Sequence, residues 1–240
     1  MSIQRPRYPR IYRIPHPSGF RHGGKRYLTY PELLQLFNGV VHVEEKLDGA
    51  QFSVMREGGE IVVYQRGTNI VDGYEPGVYK GIWRLWVYPH YGKLLELPER
   101  YVLYGEYLRV RHTVPYDRLP DWAVVFDVYD LERQAFLGYE EKIRVIMNLG
   151  LEPPPLLKVL ELSRRSEREV DEVIRELAGI IEGKSAFSTE ARSMEGAVVK
   201  NYAKGLFAKI INPWFDVEVD EHKLFEKGVK YNSLNRQPGV

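Results

Sequence analysis

The chain has no cysteine in 240 residues. Disulfides and thiolate metal sites are thereby excluded, and a reducing cytoplasmic compartment is the expectation. No apolar run approaches the ~20 residues that a membrane-spanning helix needs. The basic N-terminus is not followed by the apolar core of a secretory signal. Bulk charge is nearly absent as well, with a formal net charge of only +1, so net charge alone gives no argument for nucleic acid. Internal repeats, low-complexity linkers and sharp shifts of composition are lacking. What is there is 44% hydrophobic and 28% charged, the composition of a globular protein long enough to bury a substantial core.

One local absence is more telling. Residues 1–28 contain no acid but carry Arg5, Arg7, Arg10, Arg13, Arg21, Lys25 and Arg26, with His16 and His22. Tyr8, Tyr12, Phe20 and Tyr27 are interleaved. Guanidinium groups beside aromatic faces suit a phosphate backbone and stacked bases. A solvated, proline-rich arm that keeps the protein soluble is the other reading of the same residues.

The pattern of elements mixes strands and helices. "TYPELLQLF" predicts a helix, with Thr29 as N-cap, Pro31 in the first turn and Glu32 closing a capping box. "VVHVEEKL" reads as a strand, and "AQFSVMREGGEIVVYQR" as a hairpin turning at Gly58-Gly59. "YVLYGEYL" and "WAVVFDVYD" are two more strands. "YEEKIRVIMNLG" is an amphipathic helix closed by Gly150. "PPPLLKVLEL" leads through a loop to "SEREVDEVIRELAGII", a longer helix with an acidic first turn. "EGAVVKN" and "GLFAKII" are the last clear strands. Beyond Phe215 the tail is polar and patternless up to "HKLFEKG", where it either wraps the domain or forms a small helix. The aromatic stretch "GIWRLWVYPHYGKLLEL" reads equally as a helix over the site or as an interface. The expected class is α+β, with antiparallel and mixed sheets flanked by helices.

Within the first strand, Lys46-Leu47-Asp48-Gly49 is unusual. Side chains alternate along a strand, so Lys46 and Asp48 share a face if the strand persists. Gly49 then permits a turn or a close backbone approach. A lone lysine is most simply a solvated one. Here, however, the chain carries further marks in order: Arg66 in "YQRGTN", Glu106 in "YGEYL", Phe126 in "VVFDVYD", Glu195 and Lys200 in "MEGAVVK", and Lys209 in "LFAKI".

This ordered set, from about Val41 to Phe215, resembles the covalent nucleotidyltransferases: ATP-dependent DNA ligases, RNA ligases and mRNA capping guanylyltransferases. The resemblance implies an adenylyltransferase domain of ATP-grasp-like ligase fold over residues 41–215. Residues 1–40 would be a basic arm and helix belonging to that domain. Residues 216–240 would be a short tail, too short for the oligonucleotide-binding barrel of about 70 to 100 residues that DNA ligases and capping enzymes carry. The stretch "GEYLRVRHTVPYDRLPDWAVVFDVYD" is similar to the RNA ligase family related to the nick-sealing phage RNA ligase.

The roles follow from the resemblance. Lys46 matches the nucleophile that takes AMP from ATP. An ordinary lysine, with a pKa of about 10.4, is neutral at pH 7 in only about one molecule in a few thousand. Lowering it to roughly 7 to 8 requires about 3 to 4 kcal/mol, with Lys200, Lys209 and Mg²⁺ or Mn²⁺ expected to supply it. Glu106 would accept from the ribose, Arg66 would lie beside it, and Phe126 would stack on the purine. Glu44 and Glu45, just ahead of Lys46, belong to the same nucleotide-binding set. Glu195, with Asp48, would hold the divalent metal. Lys200 and Lys209 would neutralise the phosphate in both binding and catalysis. Many relatives carry two lysines one residue apart in the last motif. Here the pair is Phe207 and Lys209, with Lys204 as a candidate to compensate. Arg5, Arg7, Arg10, Arg13, Arg111 and His112 are the expected nucleic-acid contacts.

The implied activity joins a 5′-phosphate to a 3′-hydroxyl of RNA through lysyl-AMP and an adenylylated 5′ end. The implied partners are such RNA ends, a nicked duplex as one option, with the work of the missing substrate module done either by the tail and basic N-terminal arm or by a partner chain or oligomer. The rivals are a minimal DNA ligase, a GTP-using capping enzyme, and a non-catalytic nucleotide- or RNA-binding module. Matched RNA and DNA nicks, labelled ATP against GTP, and covalent transfer against mere binding separate them.

Overall fold

The structure is a computed structural model describing residues 5–67, 69–71, 77–162, 166–218 and 228–235. Two five-stranded sheets carry the fold among these residues. The first holds β1 (Tyr12–Arg13), β2 (Gly39–Lys46), β8 (Leu156–Leu162), β9 (Gly196–Asn201) and β10 (Leu206–Ile211) in the order β1-β10-β9-β2-β8. The second holds β3 (Ala50–Glu57), β4 (Glu60–Gln65), β5 (Tyr101–Tyr107), β6 (Ala123–Asp130) and β7 (Ala135–Phe136) in the order β4-β3-β5-β6-β7. All pairings are antiparallel except β1 with β10. The expected α+β class is present.

Local chemistry accounts for most boundaries. Thr29 and Glu32 form the capping box that opens α1 (Tyr30–Leu36). Gly58 and Gly59 both take positive φ, 57° and 88°, as the two-residue turn between β3 and β4 requires. Gly150, at φ 64°, ends α3 (Tyr139–Asn148). Ser166 and Glu169 cap α4 (Glu167–Ile181) with a second box. "LLKVLEL", which the sequence reading gave no element, forms β8. It is an edge strand in which only Leu160 and Leu162 are buried, so it lacks the apolar alternation of an inner strand. A short helix, α5 (Pro213–Glu218), follows β10. The small helix offered for "HKLFEKG" lies outside the described residues up to its last glycine.

Alternation gives each sheet a helix-covered apolar face; the opposite face is mainly polar in the first sheet and mixed in the second, where Met55, Val102 and Tyr104 are also buried. Val41, Val43, Ala197, Val199, Ala208 and Ile210 of the first sheet pack under α1 and α4, against Leu33, Val173, Leu177 and Ile181. Phe52, Val54, Leu103, Tyr107 and Val125 of the second sheet pack against Trp86, Val87 and Leu94. These belong to the aromatic stretch, a π turn (Trp83–Val87) leading into α2 (Tyr88–Leu94). That stretch therefore covers the far side of its sheet rather than the site, while Tyr88 stays exposed. With both helix-side faces covered, the opposite faces meet across a cleft.

Trp86 is fully buried, with its ring edge-on to Phe52 at 5.0 Å. Trp86→Ala is expected to cost about 3–5 kcal/mol in urea unfolding, whereas Val159→Thr on the open face of β8 should stay within about 0.5 kcal/mol.

Candidate active site

Lys46 is the last residue of β2 in the first sheet, and Ala50 the first of β3 in the second. Leu47-Asp48-Gly49 is thus the crossing between the sheets, so the lysine sits at their junction. Gly49 is required by contact, since a Cβ there would lie 2.5 Å from the Tyr107 carbonyl oxygen. This close approach lets the Gly49 N–H donate to Glu106 Oε1 at 3.1 Å. Asp48 leaves the strand. Its Oδ2 accepts from the N–H groups of Thr113 and Val114 at 2.7 and 2.8 Å, and its own N–H donates to Tyr116 Oη. His112 Nδ1 lies 3.9 Å from Asp48 Oδ1.

Around this junction opens a cavity of about 620 Å³, lined by Lys46, Asp48, Arg66, Glu106, Phe126, Glu195, Lys200 and Lys209. Lys46 Nζ donates to Glu195 Oε2 at 2.8 Å. Burial opposes the ammonium, but Glu195, Glu106 and Asp48 outweigh it and hold Lys46 above the usual lysine range. The expected lowering of Lys46 is therefore not found, because carboxylates rather than cations surround it. The shift falls instead on Lys209, which burial and the Lys46 charge push down to about 8. Burial, aided by their mutual repulsion and by Asp48, drives Glu106 and Glu195 up to about 7.

This excess of acid fits a divalent cation. Glu195 Oε1 makes no hydrogen bond among the described residues, while Oε2 holds Lys46. No three His, Asp or Glu side chains converge in metal-binding geometry among those residues. A cation would draw on Glu195 with Asp48 or Glu106 and complete its shell with phosphate oxygens and water, as Mg²⁺ does.

Deeper in the cleft lies a charged network. Between Tyr104 and Gly105 the β5–β6 register slips by one residue, leaving Phe126 as a bulge. Phe126 therefore lines the cavity, and the adjacent Asp127 also faces inward. Lys200 Nζ donates to the Phe126 carbonyl at 2.9 Å and forms ion pairs with Glu44 Oε2 at 2.6 Å and Asp127 Oδ2 at 2.9 Å. Two buried carboxylates thus hold its charge behind Phe126, while Lys200 still lines the cavity. These contacts give it a positioning role beside the phosphate-binding and catalytic role expected of it. Glu44 is likewise held by Lys142 and Lys200, which keep it below the usual carboxylate range against its own burial, and it remains part of the cavity lining. Glu45 turns the other way and accepts from the Ala186 N–H at 3.3 Å. Phe207 stands opposite Lys200 in the register, and its ring, with those of Phe126 and Tyr202, lies within 6 Å of that ammonium. A lysine at 207 would set a second cation against the first. Lys204 does not compensate, because its ammonium donates to the Gln35 carbonyl.

The basic arm divides. Arg5 is buried on Ser53, donating at 2.7 Å, and Arg13 is buried in an ion pair with Asp216. These two arginines are structural anchors, which takes them out of the expected nucleic-acid set. Between them Tyr8 donates to Asp127 Oδ2 at 2.6 Å and packs edge-on to Phe126 at 5.1 Å. The arm is thus a wall of the cavity, to which Arg10 and Lys25 also contribute. Arg7, Arg10 and Arg66 are exposed, and Arg111 is half-buried. Sequence reasoning missed Tyr8, Asp127 and Lys142. Lys142 falls within "YEEKIRVIMNLG", read only as an amphipathic helix. Its spacing with Val145, Ile146 and Leu149 is that of a buried helical stripe, and this was the usable signal.

A family model described as RNA ligase matches residues 39–211. The chain belongs to the RNA ligase family. Among solved structures it is similar to the Naegleria gruberi RNA ligase with PPi, at 20% identity and TM-score 0.60, covering 77% of this chain and 53% of that one. Mutants of that ligase with ATP and Mn and with AMP and Mn match at 18% identity, with TM-scores of 0.59 and 0.57. Each match covers 78% of this chain and 54% of that one. At such identity the likeness establishes the shared nucleotidyltransferase-type fold. The chain spans about half the length of these structures. No curated protein matches it. No helix among the described residues is long and apolar enough to cross a membrane.

Two tests follow from the geometry. Lys200→Met strands two buried carboxylates and is expected to cost about 3–5 kcal/mol in denaturant unfolding, whereas Lys209→Met costs under about 1.5 kcal/mol. For Glu106 and Glu195, raised to about 7, the folded form holds protons that the unfolded form, near 4.5, releases. Their contribution to stability is full below about 4.5 and lost as pH rises through about 7. Ionised carboxylates bind metal, so Mg²⁺ should raise Tm by a few degrees at about pH 8 and hardly at about pH 5.5. An equal gain at both would contradict this placement.

Proposed function

We propose that the protein is an ATP-dependent RNA ligase that works through AMP carried on Lys46. The observation that carries this reading is a lysine at the junction of two sheets, facing a 620 Å³ cleft and ringed by Glu195, Glu106 and Asp48, in an RNA ligase family chain.

In the first step the Lys46 amine attacks the α-phosphorus of ATP. The N–P bond forms as the bond to the β-phosphate oxygen breaks, and its electron pair leaves with pyrophosphate. The amine must first shed its proton. Glu195, 2.8 Å away and itself close to pH 7, is placed to accept it. Lys209, on the adjacent strand β10, answers the charge that builds on the phosphate. A divalent cation held at Glu195 with Asp48 or Glu106 would supply further neutralisation of phosphate charge and would free Lys46 from its carboxylate. Phe126 offers its face to the purine, fixed from behind by Lys200 and Tyr8. Glu106 and Arg66 stand where the ribose would lie, and Arg10 and Lys25 border the exit of the leaving pyrophosphate.

In the second step an oxygen of an RNA 5′-phosphate attacks the AMP phosphorus. The P–N bond breaks, and the Lys46 nitrogen takes back a proton. In the third, a 3′-hydroxyl attacks the activated 5′-phosphate, AMP departs, and the phosphodiester is formed. ATP and a divalent metal are the required small molecules, and RNA with a 5′-phosphate and a 3′-hydroxyl is the substrate, as paired or nicked ends.

The test uses α-labelled ATP or GTP, then matched RNA and DNA nicks. Label from ATP alone and sealing of RNA in preference to DNA are expected. Lys46→Ala should abolish both, and Lys209→Ala should slow labelling about 10²- to 10³-fold. Binding of ATP without covalent label would instead make the protein a nucleotide-binding module.

A further inference from the structure

One cluster on the cleft's rim is used by none of these steps. The turn Gly77–Tyr79 puts Val78 and Tyr79 into the cavity wall and is followed by exposed Lys80. The loop after β5 puts His112 and Thr113 into the same wall and carries Arg109 and Arg111 just before them. Residues 228–235 lie against this loop, with Val110 bridged to Tyr231 and Leu119 to Leu234. Arg109 Nη1 donates to the Lys80 carbonyl at 2.9 Å, and its guanidinium stacks on the Tyr231 ring at 4.4 Å. The Arg111 N–H donates to the Lys230 carbonyl at 3.0 Å. Four cations and one tyrosine, from three separate segments, therefore meet on one edge of the cleft.

None of the four cations is in an ion pair with a carboxylate among the described residues. The nearby acid of the same loop, Asp117, is occupied by the Thr189 N–H and hydroxyl. Among the described residues, such a grouping in a chain of net charge +1 makes a positive edge. Tyr231 is 45% exposed, with Arg109 stacked on the ring. The surface is also held in place. Asn232 is buried, donating to the Leu108 carbonyl at 2.6 Å and accepting from the Tyr116 N–H at 2.9 Å. Ser233 and Asn235 donate backbone N–H groups to the carbonyls of Tyr116 and Leu119. Pre-ordered cations lose little freedom when they engage a ligand.

We infer that Lys80, Arg109, Arg111, Lys230 and Tyr231 form the track on which the RNA strand lies as its end enters the cleft. The cations take backbone phosphates and Tyr231 takes a base on its ring. This deepens the ligase reading and rests on it. Lys230 and Tyr231 lie beyond the matched family region, which ends at residue 211, whereas Lys80, Arg109 and Arg111 lie within it.

The test pairs two readouts on the full chain: covalent labelling by ATP, and affinity for a short 5′-phosphorylated RNA and for a nicked duplex across a series of salt concentrations. The variants are Lys80→Ala with Lys230→Ala, Tyr231→Ala, Tyr231→Phe, and Arg168→Ala on α4 as a distant control. Labelling should stay within about twofold in all, while the double lysine variant weakens RNA binding about tenfold or more and flattens the log affinity against log salt slope by about 1.5. Tyr231→Ala should weaken binding about tenfold with the slope unchanged, and Tyr231→Phe should restore it. RNA affinity and slope equal to wild type in both alanine variants would overturn the track. Loss of labelling in the wild type would instead refute the ligase reading, and RNA binding would still judge the track by itself.

Discussion

The ion pair between Lys46 and Glu195 is the constraint around which the site is arranged. A lysine taken out of water at the meeting of two sheets costs several kcal/mol unless its charge is matched. Glu195 matches it from the residue that precedes β9, the strand antiparallel to β2. Glu106 and Asp48 add to the match and exceed it. In this structure Lys46 is therefore held as an ammonium, and the acids around it are the groups out of balance. In the proposed reaction, a divalent cation held by these carboxylates would offset the excess of acid and leave Lys46 free of its ion pair.

Behind the reaction centre a second set of buried charges fixes the purine end. Lys200 and Lys142 share Glu44, and both donate to the Phe126 carbonyl. Asp127 ties Lys200 to Tyr8 and Tyr202. These links connect β2, β6, β9, α3 and the N-terminal arm. Breaking any of them leaves a charge without its partner in a dry interior, which is why a bulged strand holds one geometry here. Lys200 thus braces Phe126, and Lys209 lines the cleft from the neighbouring strand, where the proposed reaction sets it against phosphate.

Much of this was legible in the sequence, for local reasons. Capping boxes, paired glycines and apolar alternation are short-range signals, and they placed α1, α4, the β3–β4 hairpin and the inner strands. Lys46, Glu106, Phe126, Glu195 and Lys209 were found by order and spacing and do line one cleft. The partners of these residues were not legible. Lys200 and Lys209 look alike in sequence, and only the fold shows that buried carboxylates hold Lys200. Arg5 and Arg13 sit in a run that reads as a free basic arm, yet Ser53 and Asp216, which bury them, lie 48 and 203 residues away. β8 escaped because an edge strand with one buried row does not alternate.

The central claim, that Lys46 is the residue that carries the nucleotide, is open to one direct measurement. The purified protein is incubated with Mg²⁺ and ATP and digested, and the AMP-bearing peptide is located by mass spectrometry. AMP on Lys46 alone, released by acid as a phosphorus–nitrogen bond requires, is the predicted result. AMP on Lys209, on Lys200 or on no residue would contradict the account.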